Sequence, residues 1–398
     1  MNILFYNHSG FNPQKGGTER VVDTLSEYFS KDGHSIFYAT VHNETKYKAP
    51  YPYLVLDEHK FSSLNSVRIR LLCDFVLRNK IDIIIDNFHH NKLKYLKMIA
   101  AVKEKTGVKV VTLYHTSPQG HECLWSRMGD NSTLGISEKK RFKEFVMTKA
   151  QIARRERAKT KKALRYRLNH YDKIILLSER FFSEAIAMTG EKNSHKYAAI
   201  PNPVGSLANM PRKQDKCNEL LWVGRMTGLK RPEKALQIWT CLQDQFPEWC
   251  INFLGGGELY EAIKKLSESL AQRCHFLGFQ NPEPYYQKAK ILLLTSDFEG
   301  LPLVLIEAQR HGVIPIAFEN FASLQDIIQN GVTGITVPTN DMDSYSQELS
   351  NLMKDEKRLA TMAESARQHS KKFAIENILP MWYELFTSLG LSHTSNND

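Results

Sequence analysis

Short β-branched or aliphatic runs, each followed by a polar or glycine-bearing loop and then an amphipathic stretch, recur along almost the whole chain. That alternation constrains the fold more than any other feature, because strand–loop–helix repeats assemble into parallel sheets with helices packed on them. In the first half the strand candidates are Ile3–Tyr6, Ser35–Ala39, Ile81–Ile85, Val108–Tyr114 and Lys173–Leu177. In the second half they are Leu220–Val223, Cys250–Leu254, His275–Leu277, Ile291–Thr295 and Ile314–Phe318, with an edge strand over Ile335–Pro338. Between the halves stands Pro201-Asn-Pro-Val204, where two prolines can continue neither a helix nor a central strand, followed by a polar stretch to Asn218. The expected class is α/β: two Rossmann-like, doubly wound domains facing one another across a cleft. Their expected ranges are 1–200 and 201–375, with a helix and tail over 376–398. In such sheets ligands bind beyond the carboxyl ends of the strands, so the loops that follow strands are where chemistry is sought.

Length and composition narrow the classes. A chain of 398 residues, 42% of them apolar, has material for two or three packed cores, and no apolar run approaches the ~18 residues a membrane span needs. The start, Met-Asn-Ile-Leu-Phe-Tyr, lacks a basic region and a full apolar segment and reads as a first strand, not a signal peptide. Six cysteines without CxxC spacing argue against a zinc site or a disulfide framework and fit a reducing cytoplasm. The net charge of +10 is local: between Lys139 and Lys173 fourteen Lys/Arg face three Asp/Glu, so the remainder of the chain is close to neutral.

Four strand-end features carry the candidate chemistry. In Glu299-Gly-Leu-Pro-Leu-Val-Leu-Ile-Glu307, Pro302 suits the first helical position, which puts Glu299 in the preceding loop and Glu307 about five residues inside the helix. The rise is ~7.5 Å, and side chains lean toward a helix N-terminus, so Glu307 tilts back toward the mouth where the amides of Leu303 and Val304 face outward. Two solvated glutamates flanking a buried helix remain the plain alternative. The second feature, Pro13-Gln-Lys-Gly-Gly-Thr-Glu19, lets backbone at Gly16 and Gly17 approach an anion before a helix begins, or is an ordinary loop. The third, Val223-Gly-Arg-Met-Thr-Gly-Leu-Lys-Arg-Pro232, brings Arg225 and Lys230 to a strand end, where they suit a diphosphate or form a basic surface turn. The fourth is His115, just past an apolar strand, either a sugar-contacting group or a structural histidine.

Asp341-Met-Asp343 has the DxD form that holds a divalent ion in some enzymes, but it sits where a residue caps the next helix, and no metal is expected. The basic segment, with Phe142, Phe145, Val146, Ile152, Ala153, Leu164 and Leu168 partly at helical spacing, admits two readings. It docks on an anionic membrane surface, at ~1 kcal/mol per Lys/Arg near the bilayer, or it packs as a solvated helix on its own domain. A nucleic-acid partner is not expected.

Taken in order, these pieces resemble the retaining GT-B glycosyltransferases of family 4, the bacterial lipopolysaccharide- and capsule-type group 1 transferases. The motifs are the glycine pair with Glu19 and Gly33-His34, the Arg225/Lys230 pair, Glu299…Glu307, Pro201-Asn202 and Leu254-Gly-Gly-Gly257. Two departures are Pro302, where many members carry glycine, and Asp326, where glutamate is frequent. The resemblance implies a GT-B fold whose C-terminal helix, near Ile378–Phe386, returns to the first domain. It implies that Gly17 with Gly16, Arg225, Lys230 and the Leu303 and Val304 amides hold a donor diphosphate. Glu307 would take the ribose, Glu299 the transferred sugar, His115 the same sugar, and backbone at Phe279 the base. The implied activity is metal-independent retaining transfer of a hexosyl or N-acetylhexosaminyl group from a nucleotide sugar, UDP-linked, to a saccharide or lipid-linked acceptor. The nucleotide sugar is substrate, and no cofactor is expected. The implied place is the cytoplasm or the cytoplasmic face of the inner membrane. A GT-B nucleotide-sugar epimerase, which needs the same clamp, and a non-catalytic basic binding module are the other classes considered.

Overall fold

The computed structural model describes residues 1–8, 10–42, 47–56, 65–87, 92–120, 148–191 and 194–391. Part of the basic segment, 139–147, with Phe142, Phe145 and Val146, lies outside these residues, as does Cys123. The chain forms two compact units, one of 1–119, 157–205 and 373–398, the other of 120–156 and 206–372.

The first unit carries seven strands: β1 (Asn2–Asn7), β2 (Ser35–Thr40), β3 (Tyr53–Val55), β4 (Ile83–Asp86), β5 (Lys109–Tyr114), β6 (Lys173–Leu176) and β7 (Tyr197–Ala199). They pair in parallel in the order β3-β2-β1-β4-β5-β6-β7, with Ile3 beside both Ile36 and Ile83. β4, Ile-Ile-Ile-Asp, is buried along its whole length, as a central strand covered on both faces must be. The second unit carries β8 (Glu219–Val223), β9 (Cys250–Leu254), β10 (Cys274–Gly278), β11 (Ile291–Leu294), β12 (Ile314–Phe318) and β13 (Ile335–Val337). These six strands are also parallel, in the order β10-β9-β8-β11-β12-β13. Both sheets are therefore doubly wound, and in each the order reverses beside the first strand, at β1/β4 and at β8/β11. Those reversals are the places where loops splay apart and leave a crevice at the strand ends.

The α/β class holds, and Cys250–Leu254 and Ile314–Phe318 fall where the apolar runs put them. The other expected strands shift by one or two residues at one or both ends. Two strands escaped the sequence pattern: β3 and β7. Each is a three-residue edge strand, too short to show a period and covered on one side only.

The cores follow the same layering. In the second unit Trp239, Trp249, Phe253, Ile263 and Tyr345 form part of one buried cluster around the sheet; in the first, Leu4, Ile84, Ile99 and Ala163 belong to another. Ala163 comes from the helix Lys149–His170, so the basic segment has an apolar inner edge, where Ile152, Leu164 and Leu168 are buried as well. Arg167 on this helix is fully buried, and its guanidinium lies 5.7 Å from the Tyr114 ring centre, so not every cation of the segment belongs to a surface.

The chain leaves and re-enters the first unit along one seam, where Val204 N–H donates to Phe373 O at 2.8 Å and Ile375 N–H to Gly205 O at 2.9 Å. The last helix, Ile375–Ser388, then packs on the first helix, Gly17–Lys31. Phe29 meets Trp382 edge-on at 5.9 Å and Phe386 at 5.6 Å, and Tyr383 donates its hydroxyl to Asp32. The expected return of the C-terminal helix is thus observed. Trp382 is buried to 1% exposure, so Trp382→Ala should cost roughly 3–5 kcal/mol of stability. The check is the urea midpoint of the first unit's transition; a midpoint like that of the wild type would contradict this packing.

Candidate functional site

In the second unit the chain turns after β8 at Gly224-Arg225-Met226 and after β9 at Gly255-Gly-Gly257, and the two turns are joined backbone to backbone. Gly224 N–H donates to Leu254 O at 3.0 Å, Met226 N–H to Gly256 O at 2.9 Å and Leu259 N–H to Met226 O at 3.0 Å. A Cβ on Gly255 would lie 1.8 Å from Gly224 O, and one on Gly257 2.4 Å from Met226 O; their φ values are +130° and +151°. Only glycine fits either position, on grounds of both space and conformation. Arg225 is carried on this joined turn and is exposed.

Residues Leu229–Arg231 are held against the end of β11. Thr295 Oγ donates to the Arg231 carbonyl at 2.8 Å and lies 3.2 Å from that of Lys230, while Asp297 N–H donates to Leu229 O at 2.9 Å. Trp222 on β8 donates its indole N–H to the same Thr295 oxygen at 3.2 Å. This arrangement brings Lys230 Nζ to Glu299 Oε1 at 2.5 Å, with Glu299 buried and Lys230 half-buried.

Beneath that pair lies a layer the sequence reading missed. Lys234 Nζ contacts Asp297 Oδ1 at 2.9 Å and Asn340 Oδ1 at 2.7 Å, and both Lys234 and Asp297 are buried. Arg231 Nε stands 2.9 Å from Glu233 Oε1 and 3.6 Å from Asp297 Oδ2. Burial pushes the Glu233 carboxyl above its usual range, opposed by the charge of Arg231. Arg231 itself adopts φ +52°, ψ +50°, a left-handed conformation that costs a non-glycine residue ~1–2 kcal/mol. It immediately precedes Pro232, and the right-handed helical region is disfavoured for a residue before proline. No local pattern marked this layer, since Pro232 and Glu233 are ordinary residues for a helix start.

The loop before the helix Leu303–Arg310 is pinned by Asn320, which donates to Ser296 O at 2.8 Å, and by Ser323, which donates to Gly300 O. Pro302 does not begin the helix as expected. It is the cap residue, with extended ψ of 104°, and the first helical bond runs from Leu305 N–H to its carbonyl at 3.1 Å. The amides of Leu303 and Val304 precede that bond, as the reading of the helix mouth required. Glu307 is the fifth helical residue, half-buried, and accepts from Tyr286 Oη at 3.1 Å. Phe279 follows Gly278 at the end of β10 and is 73% exposed. The capping reading of the DxD holds: Asp341 precedes the helix Met342–Lys354 and accepts from Ser344 N–H at 2.9 Å and Oγ at 2.7 Å. Asp326 uses its carbonyl, toward His369 at 3.0 Å and toward Lys372.

In the first unit Gly16 caps the helix Gly17–Lys31 in a fully extended conformation open to any residue. A Cβ there would come within 2.9 Å of Glu19 Oε2, the mobile end of a side chain that can shift aside. His115 stands just past β5, its Nε2 3.1 Å from Asn87 Oδ1. Asn87 is buried beyond β4 and ties its amide nitrogen to Ile85 O at 3.3 Å, which turns the acceptor oxygen to the ring, so His115 Nε2–H is the donor. The loop continues through Ser117, which donates to Glu184. Asn87 also escaped the sequence reading, though it stands at a strand end beside the switch point.

Two family models match the chain: "Glycosyltransferase Family 4" over residues 15–205 and "Glycosyl transferases group 1" over residues 208–369. Among curated proteins, an exopolysaccharide phosphotransferase of Streptomyces coelicolor is 30% identical over 55% of this chain. A GalNAc-containing undecaprenol-linked saccharide α-1,4-N-acetyl-D-galactosaminyltransferase of Campylobacter jejuni is 27% identical over 52% of it. The chain spans only 23% and 61% of those two proteins. Among solved structures, the lipopolysaccharide outer core galactosyltransferase WaaB superposes with a TM-score of 0.68 at 18% identity, over 98% of this chain and 100% of its own. Anabaena HepE in complex with UDP gives a TM-score of 0.73 at 14% identity, with the same coverage of both chains.

Two substitutions test this geometry. Lys234→Met removes the 2.9 Å cationic partner of buried Asp297 and should cost roughly 3 kcal/mol, at the low end for breaking a buried pair; thermal or urea unfolding measures it. Gly257→Ala should loosen the Arg225 turn, seen as faster amide hydrogen exchange at Met226 and Leu259. Unchanged exchange at both amides would refute the coupling of the two turns.

Proposed function

Because the chain belongs to glycosyltransferase family 4 and carries the GT-B fold, we propose that it moves a hexosyl or N-acetylhexosaminyl group from a UDP-sugar to a saccharide or lipid-linked acceptor. The pathway class we assign is bacterial cell-surface polysaccharide synthesis, in line with what the names of its relatives describe. The observation that carries this reading is the Lys230–Glu299 pair at the β8/β11 reversal, in the loop that leads into a helix whose first amides, Leu303 and Val304, precede its first intrahelical bond.

The chemistry follows from charge. As the sugar–phosphate bond breaks, negative charge grows on the leaving diphosphate and positive charge on the anomeric carbon. Lys230 and Arg225, with the Leu303 and Val304 amides, are suited to the first; charge-assisted contacts contribute ~1.5–3 kcal/mol each. Glu299 is suited to hydroxyls of the transferred sugar. Its contact with Lys230 sets both groups in place before substrate arrives, so little reorganisation is needed at the moment of transfer. Glu307 takes the ribose, and backbone at Phe279 the base. In the first unit we assign Gly16 and Gly17 to anion contact and His115 to the transferred sugar. Attack on the face from which the diphosphate leaves retains configuration and needs no covalent nucleophile. With two cationic side chains and two amides for the diphosphate, no metal is required, and transfer should survive EDTA.

We assign the protein to the cytoplasm and to the cytoplasmic face of the membrane. Among the described residues no helix is long and apolar enough to cross a bilayer. The helix Lys149–His170 presents Arg154, Arg155, Arg157, Lys159, Lys161 and Lys162 as exposed cations, which suits peripheral contact with anionic lipid. Sedimentation with anionic vesicles at low salt should carry the protein down, and absence of binding would remove this assignment.

Incubation with a panel of UDP-sugars and lipid-linked acceptors tests the main reading. UDP should be released only when acceptor is present; release without acceptor, or conversion of the donor to its epimer, would defeat it. Lys230→Ala should slow transfer by about 100-fold or more, while leaving the protein folded. Near-normal turnover by the folded variant would rule out the assigned role of Lys230.

A further inference from the structure

Glu307 is gripped from two directions that the donor chemistry does not itself explain. Its carboxylate accepts from Tyr286 Oη at 3.1 Å. Its backbone carbonyl accepts from His311 Nδ1–H at 2.8 Å. The two gripping rings stack on each other, with centres 5.4 Å apart and planes 30° from parallel. Tyr286 is 1% exposed and is supplied by the short helix Glu283–Lys288, which precedes β11. Its own carbonyl accepts from Lys216 Nζ at 2.7 Å. Burial lowers the pKa of His311 below its ordinary value, opposed by this same bond to the Glu307 carbonyl.

A carboxylate five residues into a helix swings about three side-chain torsions, and each added freedom weakens a two-point contact to a vicinal diol. An ionised carboxylate presents about four lone-pair sites. Once Tyr286 takes one of them, the directions of the others are set relative to the helix. We propose that Tyr286 is a positioning residue that orients the Glu307 carboxylate toward the paired hydroxyls of a nucleotide ribose, and so contributes to discrimination between ribose and deoxyribose. This rests on the reading of Glu307 as the ribose-binding group.

The test is calorimetric binding of UDP, 2′-deoxy-UDP and 3′-deoxy-UDP to wild type, Tyr286→Phe, Glu307→Gln and the double variant. Tyr286→Phe keeps the ring and its stacking on His311, so a folded protein is expected, which near-UV circular dichroism verifies. Tyr285→Phe is the control: Tyr285 Oη donates to Gln280 at 2.7 Å, so it removes a hydroxyl from the same helix without touching Glu307. Tyr286→Phe should weaken UDP binding about fivefold and narrow the preference for UDP over its deoxy analogues by a similar factor. In the Glu307→Gln background it should add nothing, because its path to the ligand is gone. A merely structural tyrosine would change affinity for all three ligands alike. Full wild-type discrimination by Tyr286→Phe would overturn the inference alone. Equal binding of all three ligands by the wild type would overturn the ribose reading of Glu307 and the inference with it.

Discussion

β8 and β11 lie side by side at the reversal of the second sheet, although β9, β10 and their helices come between them in the chain. Most of the candidate site depends on that adjacency. The loop after β8 carries Arg225 and Lys230, and the loop after β11 carries Asp297 and Glu299. Each is a tight, charged turn that would be unremarkable alone. Side by side, they share hydrogen bonds through Thr295, Trp222 and the Asp297 amide, and so hold each other's shape.

The charges placed there are balanced within the second unit. Lys230, Arg231 and Lys234 stand against Glu233, Asp297 and Glu299, and the contacts alternate in sign. Burial of any one of these groups alone would be costly, since an unpaired ion in a low-dielectric surrounding loses its hydration without return. Together they form a lattice in which Lys230 is the member most open to solvent, at 28% side-chain exposure against 5–22% for its five companions. An arriving anion would therefore meet Lys230 backed by fixed charges, with Arg225 on an adjoining turn whose backbone is locked by Gly255 and Gly257. The left-handed Arg231 is the conformational cost of this arrangement. Glu233 and Asp297 sustain it.

Legibility of these parts in the sequence varied with the range of the forces behind them. The central strands were visible because burial on both faces leaves an uninterrupted apolar run, as in Ile83–Ile85 and Ile291–Leu294. β3 and β7 were not, being edges of three residues whose pairing is decided by a neighbour. Pro302 was misplaced by one position, because proline tolerates both the cap and the first helical turn, and its ψ decides between them. The DxD was rightly read as a cap, since capping is local and needs only the residues that follow. Asn87, Lys234, Asp297 and Tyr286 were missed for one shared reason. Each acts on a residue distant in the chain, and its own neighbours in sequence give no sign of the partner.

The sequence by itself determined the class of fold and the placing of glycine loops at strand ends, and it named candidate side chains for an anion or sugar site. Periodicity, proline and glycine act over a few residues, so their meaning survives without the rest of the chain. Only tertiary structure decided which of those side chains meet. It put Lys230 against Glu299, set Lys234 and Asp297 beneath them, and turned Glu307 with Tyr286. The physical reason is that buried charges and hydrogen bonds are specified by what surrounds them in space, and the strand order that creates those surroundings is a property of the whole sheet.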